Sequence, residues 1–356
     1  MKESGSKIRI KDIARLAGVS EGTVDRVLHN RGEVSDKSRD AVNQVLKEIN
    51  YSPNLLARSL ALKKQYNFSY LIPNYEKGDY WEAVEKGFKQ AQSEFSQFNV
   101  KLTKYYFNQF DINSFFNTTN EIKSSLPDAV IISPIFRKET VEFIKELNTL
   151  KIPFSFIDSM IENTGFLTYY GQNSFLSGFI AAKLLFNSLS HHSQIIVIRT
   201  KRKGSVSNQT LSRKNGFMQY TDENNLADNK LLNVELEDDN DEKNIEILKS
   251  AFEKNTNISA AITFNSKVYR LAGYLNELGK GDIRLIGYDL TDKNIEYIKN
   301  DVVSYLIAQR PEKQAFLTVR DLCRELIFKQ EIKNINYVPI DILMKENIDD
   351  YLSFQE

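Results

Sequence analysis

From Asn67 onward the chain alternates between short apolar runs and longer amphipathic ones, and this alternation limits the fold more than any other feature. FSYLIP, VKLTKYY, DAVIIS and PFSFID read as strands, each a run rich in apolar and β-branched residues and of strand length. Between them, residues 80–97, 112–124 and 138–149 carry apolar side chains at helical spacing. The rhythm then repeats, with strands expected near 194–199, 231–235, 259–264 and 283–288. Strand–helix alternation builds parallel sheets covered by helices on both faces. Two rounds of it predict an α/β body of two doubly wound subdomains. Ligands of such sheets bind beyond the carboxyl ends of the strands. The residues that follow FSYLIP, PFSFID, AAITF and RLIGY are therefore candidates for a site.

The first 50 residues follow a different rule and read as all-α. Ile10, Ile13, Ala14 and Ala17 recur at helical spacing until Gly18-Val19-Ser20 interrupts them. Ser20 can cap a second helix, whose apolar stripe is Val24, Val27 and Leu28. Ser35 can cap a third, with Val42, Val45, Leu46 and Ile49 facing inward. Two short helices about a tight turn, braced by a third, form a helix-turn-helix. Ser52-Pro53 breaks this pattern, and PNLLARSLA after it is too short to hold as a helix alone in water.

Charge separates the same two regions. Net charge is zero over the chain, yet the first 64 residues hold 13 Lys/Arg against 8 Asp/Glu, while the rest hold 34 against 39. A basic module on an acidic body points to a polyanionic partner at one end. The one cysteine, Cys323, rules out an internal disulfide and a cysteine-cluster metal site, and is expected to be a packed core residue. No apolar leader and no run of about 18 apolar residues occurs, so the expected compartment is the cytoplasm and no membrane partner is expected. The histidines, His29, His191 and His192, fall in no order with Ser and Asp that suggests a triad. Without a phosphate-cradling glycine loop or a metal-spaced cluster either, no catalytic residue, metal or cofactor is expected, and the chain is read as not an enzyme.

IKDIARLAGVSEGTVDRVLHN, INYSPNLLARSLA, ITFNS, LIGYD and YLIAQRP together resemble the LacI-type (lactose-repressor) family of bacterial transcription regulators, in that family's order and over nearly the full length. The resemblance implies a periplasmic-binding-protein-like body behind the helix-turn-helix. It also implies the organisation: a helix-turn-helix domain over 1–51, a hinge helix and linker over 52–66, and an effector-binding body over 67–356. Within the body, the N-subdomain would take about 67–169 and 311–335, and the C-subdomain about 170–310 and 336–356. The second helix would then enter the major groove of palindromic operator DNA, bound by a homodimer. Ser20, Glu21, Gly22, Thr23, Arg26, His29 and Asn30 would contact the duplex, and Leu60 of the hinge would wedge into the minor groove. Arg26 would be the base reader, since Arg pairs with both acceptors of a guanine edge. Asp25 stands where that family commonly has Ser, so the resemblance leaves open whether that position meets a phosphate or instead holds Arg26, Arg15 or a neighbouring base-reading group in place.

The same resemblance places a small-molecule effector, a sugar, between the subdomains. Tyr80, Trp81, Asp158, Arg213, Asn265, Asp289 and Gln309 would line its pocket. Carboxylates, amides and a guanidinium satisfy ring hydroxyls, and aromatic faces cover the apolar C–H surfaces. Each residue also has a plainer reading: Tyr80 and Trp81 as core aromatics, Asp158 and Asp289 as helix caps, Asn265 and Gln309 as partners for loop backbone. The basic stretch RTKRKG at 199–204 reads as a solvated loop that would favour a phosphorylated effector, and ELEDDNDE reads as a solvated loop too. The competing classes are a transporter's solute-binding protein, which the N-terminal helix-turn-helix argues against, and a sugar-modifying enzyme, which lacks a nucleophile–base pair.

Overall fold

The computed structural model describes residues 9–28, 32–49, 64–190, 193–201, 208–226, 231–237 and 240–355. His29, Asn30, His191, His192, Leu60 and the remainder of the expected hinge segment up to residue 63 lie outside the described residues. The chain divides into a small N-terminal unit and a large unit that begins at Lys64.

In the N-terminal unit the helices are α1 (Ile10–Ala17), α2 (Glu21–Leu28) and α3 (Asp36–Glu48). The expected caps are in place. Ser20 Oγ accepts from the Thr23 backbone N–H at 3.1 Å, and Ser35 Oγ accepts from Ser38 N–H at 3.3 Å. Ile13, Ala14, Val24, Val42 and Val45 make the core, so the spacing that predicted the helices also closes them on one another.

The large unit holds two six-stranded sheets of matching strand order, differing in the direction of one edge strand. The first subdomain runs β1 (Tyr66–Pro73), α4 (Tyr80–Phe95), β2 (Val100–Phe107), α5 (Ile112–Ser125), β3 (Ala129–Ile132), α6 (Arg137–Thr149), β4 (Phe154–Asp158) and β5 (Tyr169–Gln172). The second runs α7 (Ser174–Asn187), β6 (Gln194–Lys201), α8 (Asn208–Glu223), β7 (Leu231–Glu237), α9 (Asp241–Lys254), β8 (Ile258–Thr263), α10 (Val268–Glu277), β9 (Arg284–Tyr288), α11 (Asp292–Lys299) and β10 (Tyr305–Ala308). The chain then returns through α12 (Pro311–Leu322), β11 (Ile335–Val338), β12 (Asp341–Leu343) and α13 (Ile348–Gln355). Strand order is β11-β5-β4-β3-β1-β2 in one sheet and β12-β10-β9-β8-β6-β7 in the other. Every pairing is parallel except β10 with β12. Burial on both faces explains the continuous apolar runs: Ile195 and Val197 pack under α7 and α8, while Ile196 and Ile198 pack under α9, α10 and α11.

Four short strands escaped the sequence pattern as runs of their own: β5, β10, β11 and β12, each of three or four residues. They lie where the chain passes between subdomains, and pairing with a neighbour rather than apolar length defines them. Two expected crossing points shift with them. Strands β5 and β11 pair with each other inside the first sheet, so the chain leaves it after Gln172 and after Val338 rather than after 169 and 335. The two charged loops are corrected in part, since residues 202–204 and 238–239 lie outside the described residues. Arg199–Lys201 continue β6 and lie opposite Glu235–Glu237 of β7, with Arg199 and Glu235 paired at 3.7 Å. Opposite charges across a ladder let both runs stay extended. Cys323 is fully buried at the end of α12, as its setting required, and burial raises its thiol pKa.

Helices α7 and α8 pack backbone to backbone. A Cβ on Gly178 would stand 1.8 Å from the Arg213 carbonyl oxygen, and one on Gly216 would stand 1.8 Å from that of Phe175. Among the described residues no helix is long and apolar enough to cross a membrane. Gly216→Ala must push these helices apart and is expected to destabilise the large unit by about 1–3 kcal/mol. Chemical denaturation followed by tryptophan fluorescence measures this, and an unchanged midpoint would contradict the packing.

Candidate functional site

The carboxyl ends of β4 and β9 carry the two aspartates. Asp158 and Asp289 occupy equivalent positions of the two sheets, and both take a left-handed backbone with φ of 70°. Aspartate tolerates that region better than most residues. Both side chains are buried, at 4% and 5% exposure. Arg213 of α8 is close enough to act on both carboxyls and is 1% exposed, its guanidinium 3.9 Å from the Tyr288 ring centroid. Arg213 Nη1 donates to the Phe264 carbonyl at 3.0 Å, while Nε and Nη2 have no partner among the described residues.

Amides complete the cluster. Gln309, in the crossover after β10, donates through Nε2 to Asp289 Oδ1 at 2.6 Å. Gln209, in the first turn of α8, donates through Nε2 to Asp158 Oδ1 at 3.0 Å and to Gln309 Oε1 at 3.1 Å. Gln314 of α12 accepts from the Asp158 backbone N–H at 3.1 Å and donates to the Gln309 carbonyl at 2.7 Å. Tyr169 Oη donates to the Asp158 carbonyl at 3.2 Å. The Tyr80 hydroxyl faces the Asp158 carboxyl without a hydrogen bond of good geometry. Gln172 Oε1 and Asn208 Nδ2 are likewise buried without a partner among the described residues.

Electrostatics follow from this burial. Desolvation pushes Asp158 up to about 6 from an ordinary 3.8, against the pull of Arg213, of the nearby Tyr80 hydroxyl and of the hydrogen bond from Gln209. Desolvation also raises Asp289, against Arg213 and Gln309. Burial and the two carboxyls raise the Tyr80 hydroxyl well above its usual range. Two carboxyls thus share one guanidinium in a dry place, surrounded by amides that can both donate and accept.

Five of the seven expected pocket residues meet here: Tyr80, Asp158, Arg213, Asp289 and Gln309. Trp81 instead turns into the core beside Tyr80, 8% exposed, with ring centroids 5.0 Å apart and edge-to-face. Asn265 is occupied locally. Its Oδ1 accepts from Lys267 N–H at 2.9 Å and its Nδ2 donates to Thr200 Oγ1 at 3.3 Å, in a separate hollow lined by Glu237, Asn244 and Arg270. Gln209, Gln314, Gln172, Asn208 and Tyr169 were not expected. Gln209 had a signal, lying four residues before Arg213 and so on the same face of α8.

In the N-terminal unit, Ser20, Glu21, Gly22 and Arg26 are exposed, Thr23 and Asp25 are half-buried, and Val24 is in the core. One face of α2 is therefore polar and open.

The sequence matches the family model for bacterial regulatory proteins of the lacI family over residues 9–54, and that for the periplasmic binding protein domain over residues 68–330. The transcriptional regulator MalR of Streptococcus pneumoniae is 36% identical over 91 residues, covering 24% of this chain and 28% of MalR. The transcriptional repressor PurR of Histophilus somni is 26% identical over 227 residues, 62% of each chain. The chain therefore spans less than two thirds of these relatives in either match. A crystal structure from Bacteroides fragilis, assigned as a LacI transcriptional regulator, superposes with a TM-score of 0.76 at 39% identity, covering 81% of this chain and all of that one. The chain belongs to the lacI family of bacterial regulatory proteins and carries a periplasmic binding protein domain as its body. These relatives are named as regulators, not enzymes.

Because the folded carboxyl of Asp158 titrates above its unfolded value, the native state holds that proton more tightly. Its contribution to stability is present below pH 4 and is lost as pH rises through 6. Two pH units correspond to about 3 kcal/mol. Asp158→Asn should therefore flatten the fall in unfolding free energy between pH 4 and 6 relative to wild type, measured by denaturant titration across that window. Parallel pH profiles for the two chains would contradict the burial argument.

Proposed function

We propose that the chain is a sequence-specific DNA-binding transcriptional regulator whose operator affinity is set by a small sugar held between the two subdomains. One observation carries this reading: a lacI-family helix presenting Ser20, Glu21 and Arg26 shares a chain with a buried cluster of two carboxyls and a guanidinium whose Nε and Nη2 have no partner among the described residues. Gly22 and Arg26, four residues apart, lie on the same open face of α2. That face suits a major groove, where Arg26 reads a guanine. An eight-residue helix touches few base pairs, so a homodimer on a palindrome supplies the rest of the specificity. Leu60 takes the minor-groove wedge in this reading.

The cleft suits a polyhydroxylated neutral molecule. Asp158 and Asp289 accept from hydroxyls, Arg213 donates to them, Gln172 Oε1 accepts and Asn208 Nδ2 donates. Two carboxyls beside one guanidinium disfavour a phosphorylated ligand, whose charge would be repelled in a poorly solvated place. A ligand bonded to both subdomains shifts operator affinity only by its preference for one interdomain angle, and the coupling is reciprocal.

Two outcomes test the reading. Duplexes recovered from a random pool by the purified chain should share a palindrome, and Arg26→Ala should lose ~1–3 kcal/mol of discrimination at one base pair of each half-site. An unaltered preference at every position removes Arg26 from base reading. A thermal-shift screen of mono- and disaccharides, with and without phosphate, should give a neutral hit, since a ligand at 100 times its Kd adds ~2.7 kcal/mol. Asp289→Ala should then abolish the effect of that sugar on operator binding and leave ligand-free operator affinity nearly unchanged. A full response in the variant removes Asp289 from the pocket.

A further inference from the structure

We propose that Gln209 is a built-in tie across the cleft, a positioning residue that draws the two subdomains together before any ligand binds. Its carboxamide is carried by α8 of the second subdomain. Its Nε2 reaches Asp158 Oδ1 of the first subdomain at 3.0 Å and Gln309 Oε1 of the crossover at 3.1 Å. One group thus fastens both subdomains and the hinge between them, at the acceptors a ligand hydroxyl would use. The tie is held in place at both ends. The tight approach of Gly178 and Gly216 fixes α8 against α7, and Gln314 fixes Asp158 through its backbone N–H.

A second link supports it at the cleft's edge. The Asp292 backbone N–H of α11 donates to the Gly78 carbonyl at 3.3 Å, across the subdomains. Gly78 has φ of 84°, and a Cβ there would come within 2.8 Å of Asp292 Oδ2. On the same side Lys267 of the second subdomain lies 6.0 Å from the Phe110 ring centroid of the first. The closed arrangement therefore has partners supplied by the chain itself. A ligand that binds must take over the acceptors Gln209 occupies, so Gln209 sets how much closure is left for the ligand to add. This last step rests on the cleft being the ligand site; the tie does not.

The test needs no ligand. Spin labels at Lys145→Cys and Glu246→Cys sit on exposed positions of α6 and α9, one per subdomain, and Cys323 is too buried to label. The full chain without ligand should give one short interlabel distance. Gln209→Ala should add a longer one, with a roughly tenfold fall in the closed-to-open ratio, the scale of a hydrogen bond to a charged group. Gly78→Ala should open it in the same direction. Gln209→Glu sets a carboxyl against Asp158, where Tyr80 of α4, Tyr169 of β5, Arg213 of α8 and Asp289 after β9 are the other titratable or charged groups facing it. Two such carboxyls can share a proton, so this variant should be open at pH 8 and closed again at pH 5. A merely structural role would not recover with acid. An unchanged distance distribution in Gln209→Ala, or a Gln209→Glu chain equally open at both pH values, would overturn the proposal. Because no sugar is present, neither result depends on whether the cleft binds one.

Discussion

A single guanidinium buried among two carboxyls and a tyrosine ring organises the body of this protein. Arg213 has lost nearly all its water, and leaves two nitrogens, Nε and Nη2, unpartnered among the described residues. Isolated, a buried charge of this kind would be severely destabilising. It is tolerable because Asp158 and Asp289 lie near, Tyr288 offers its ring face, and Phe264 offers a carbonyl. The same electrostatics explain why both carboxyls titrate high: one positive charge is shared between two buried acids, and desolvation wins.

That arrangement depends on duplication. Both sheets wind in the same order, and an aspartate with left-handed backbone stands at the carboxyl end of the fourth strand of each, Asp158 as the last residue of β4 and Asp289 just after β9. Facing carboxyl ends of two like sheets present two like groups to a common space. The polar side chains around them come largely from the crossovers: Gln172 before the first, Gln309 in the second, and Gln314 just beyond it. A hinge built from amides can hold the strand ends and reach the cleft at once. Gln172 Nε2, for example, donates to the Ala308 carbonyl at 2.8 Å, joining two crossing segments directly. The bidentate pair of Arg310 with Asp341, at 2.6 and 2.8 Å, ties the second and third crossings in the same way.

Much of this is legible in the amino-acid sequence itself. Strands built on four continuous apolar residues, such as AVII in β3 and the IIVI of β6, declare themselves because burial on both faces leaves no room for alternation. The helix-turn-helix declared itself through caps, since Ser20 and Ser35 stand where unpaired backbone N–H groups need an oxygen. Asp158 and Asp289 were legible because strand ends are where such sheets gather ligands. Strands β5, β10, β11 and β12 were less so. Three or four residues carry no period, and what makes them strands is a neighbour far away in sequence.

The outcome for single side chains divides along the same line. Local sequence determined which residues form helices and strands, where they start, and which strand ends carry acid or amide groups, because caps and apolar spacing act over three or four residues. Only the tertiary structure decided where each side chain is occupied. Trp81 and Tyr80 are adjacent in sequence, yet one turns into the core and the other faces Asp158, since successive helical residues point about 100° apart. Asn265 ends a strand as Asp289 does, but Thr200 and the Lys267 amide are close enough to claim its amide. Gln209 is an ordinary residue of α8 until the first subdomain brings Asp158, 51 positions away, within 3.0 Å of it. A hydrogen bond needs its partner within a few tenths of an ångström, and no local pattern can specify a distance across two subdomains.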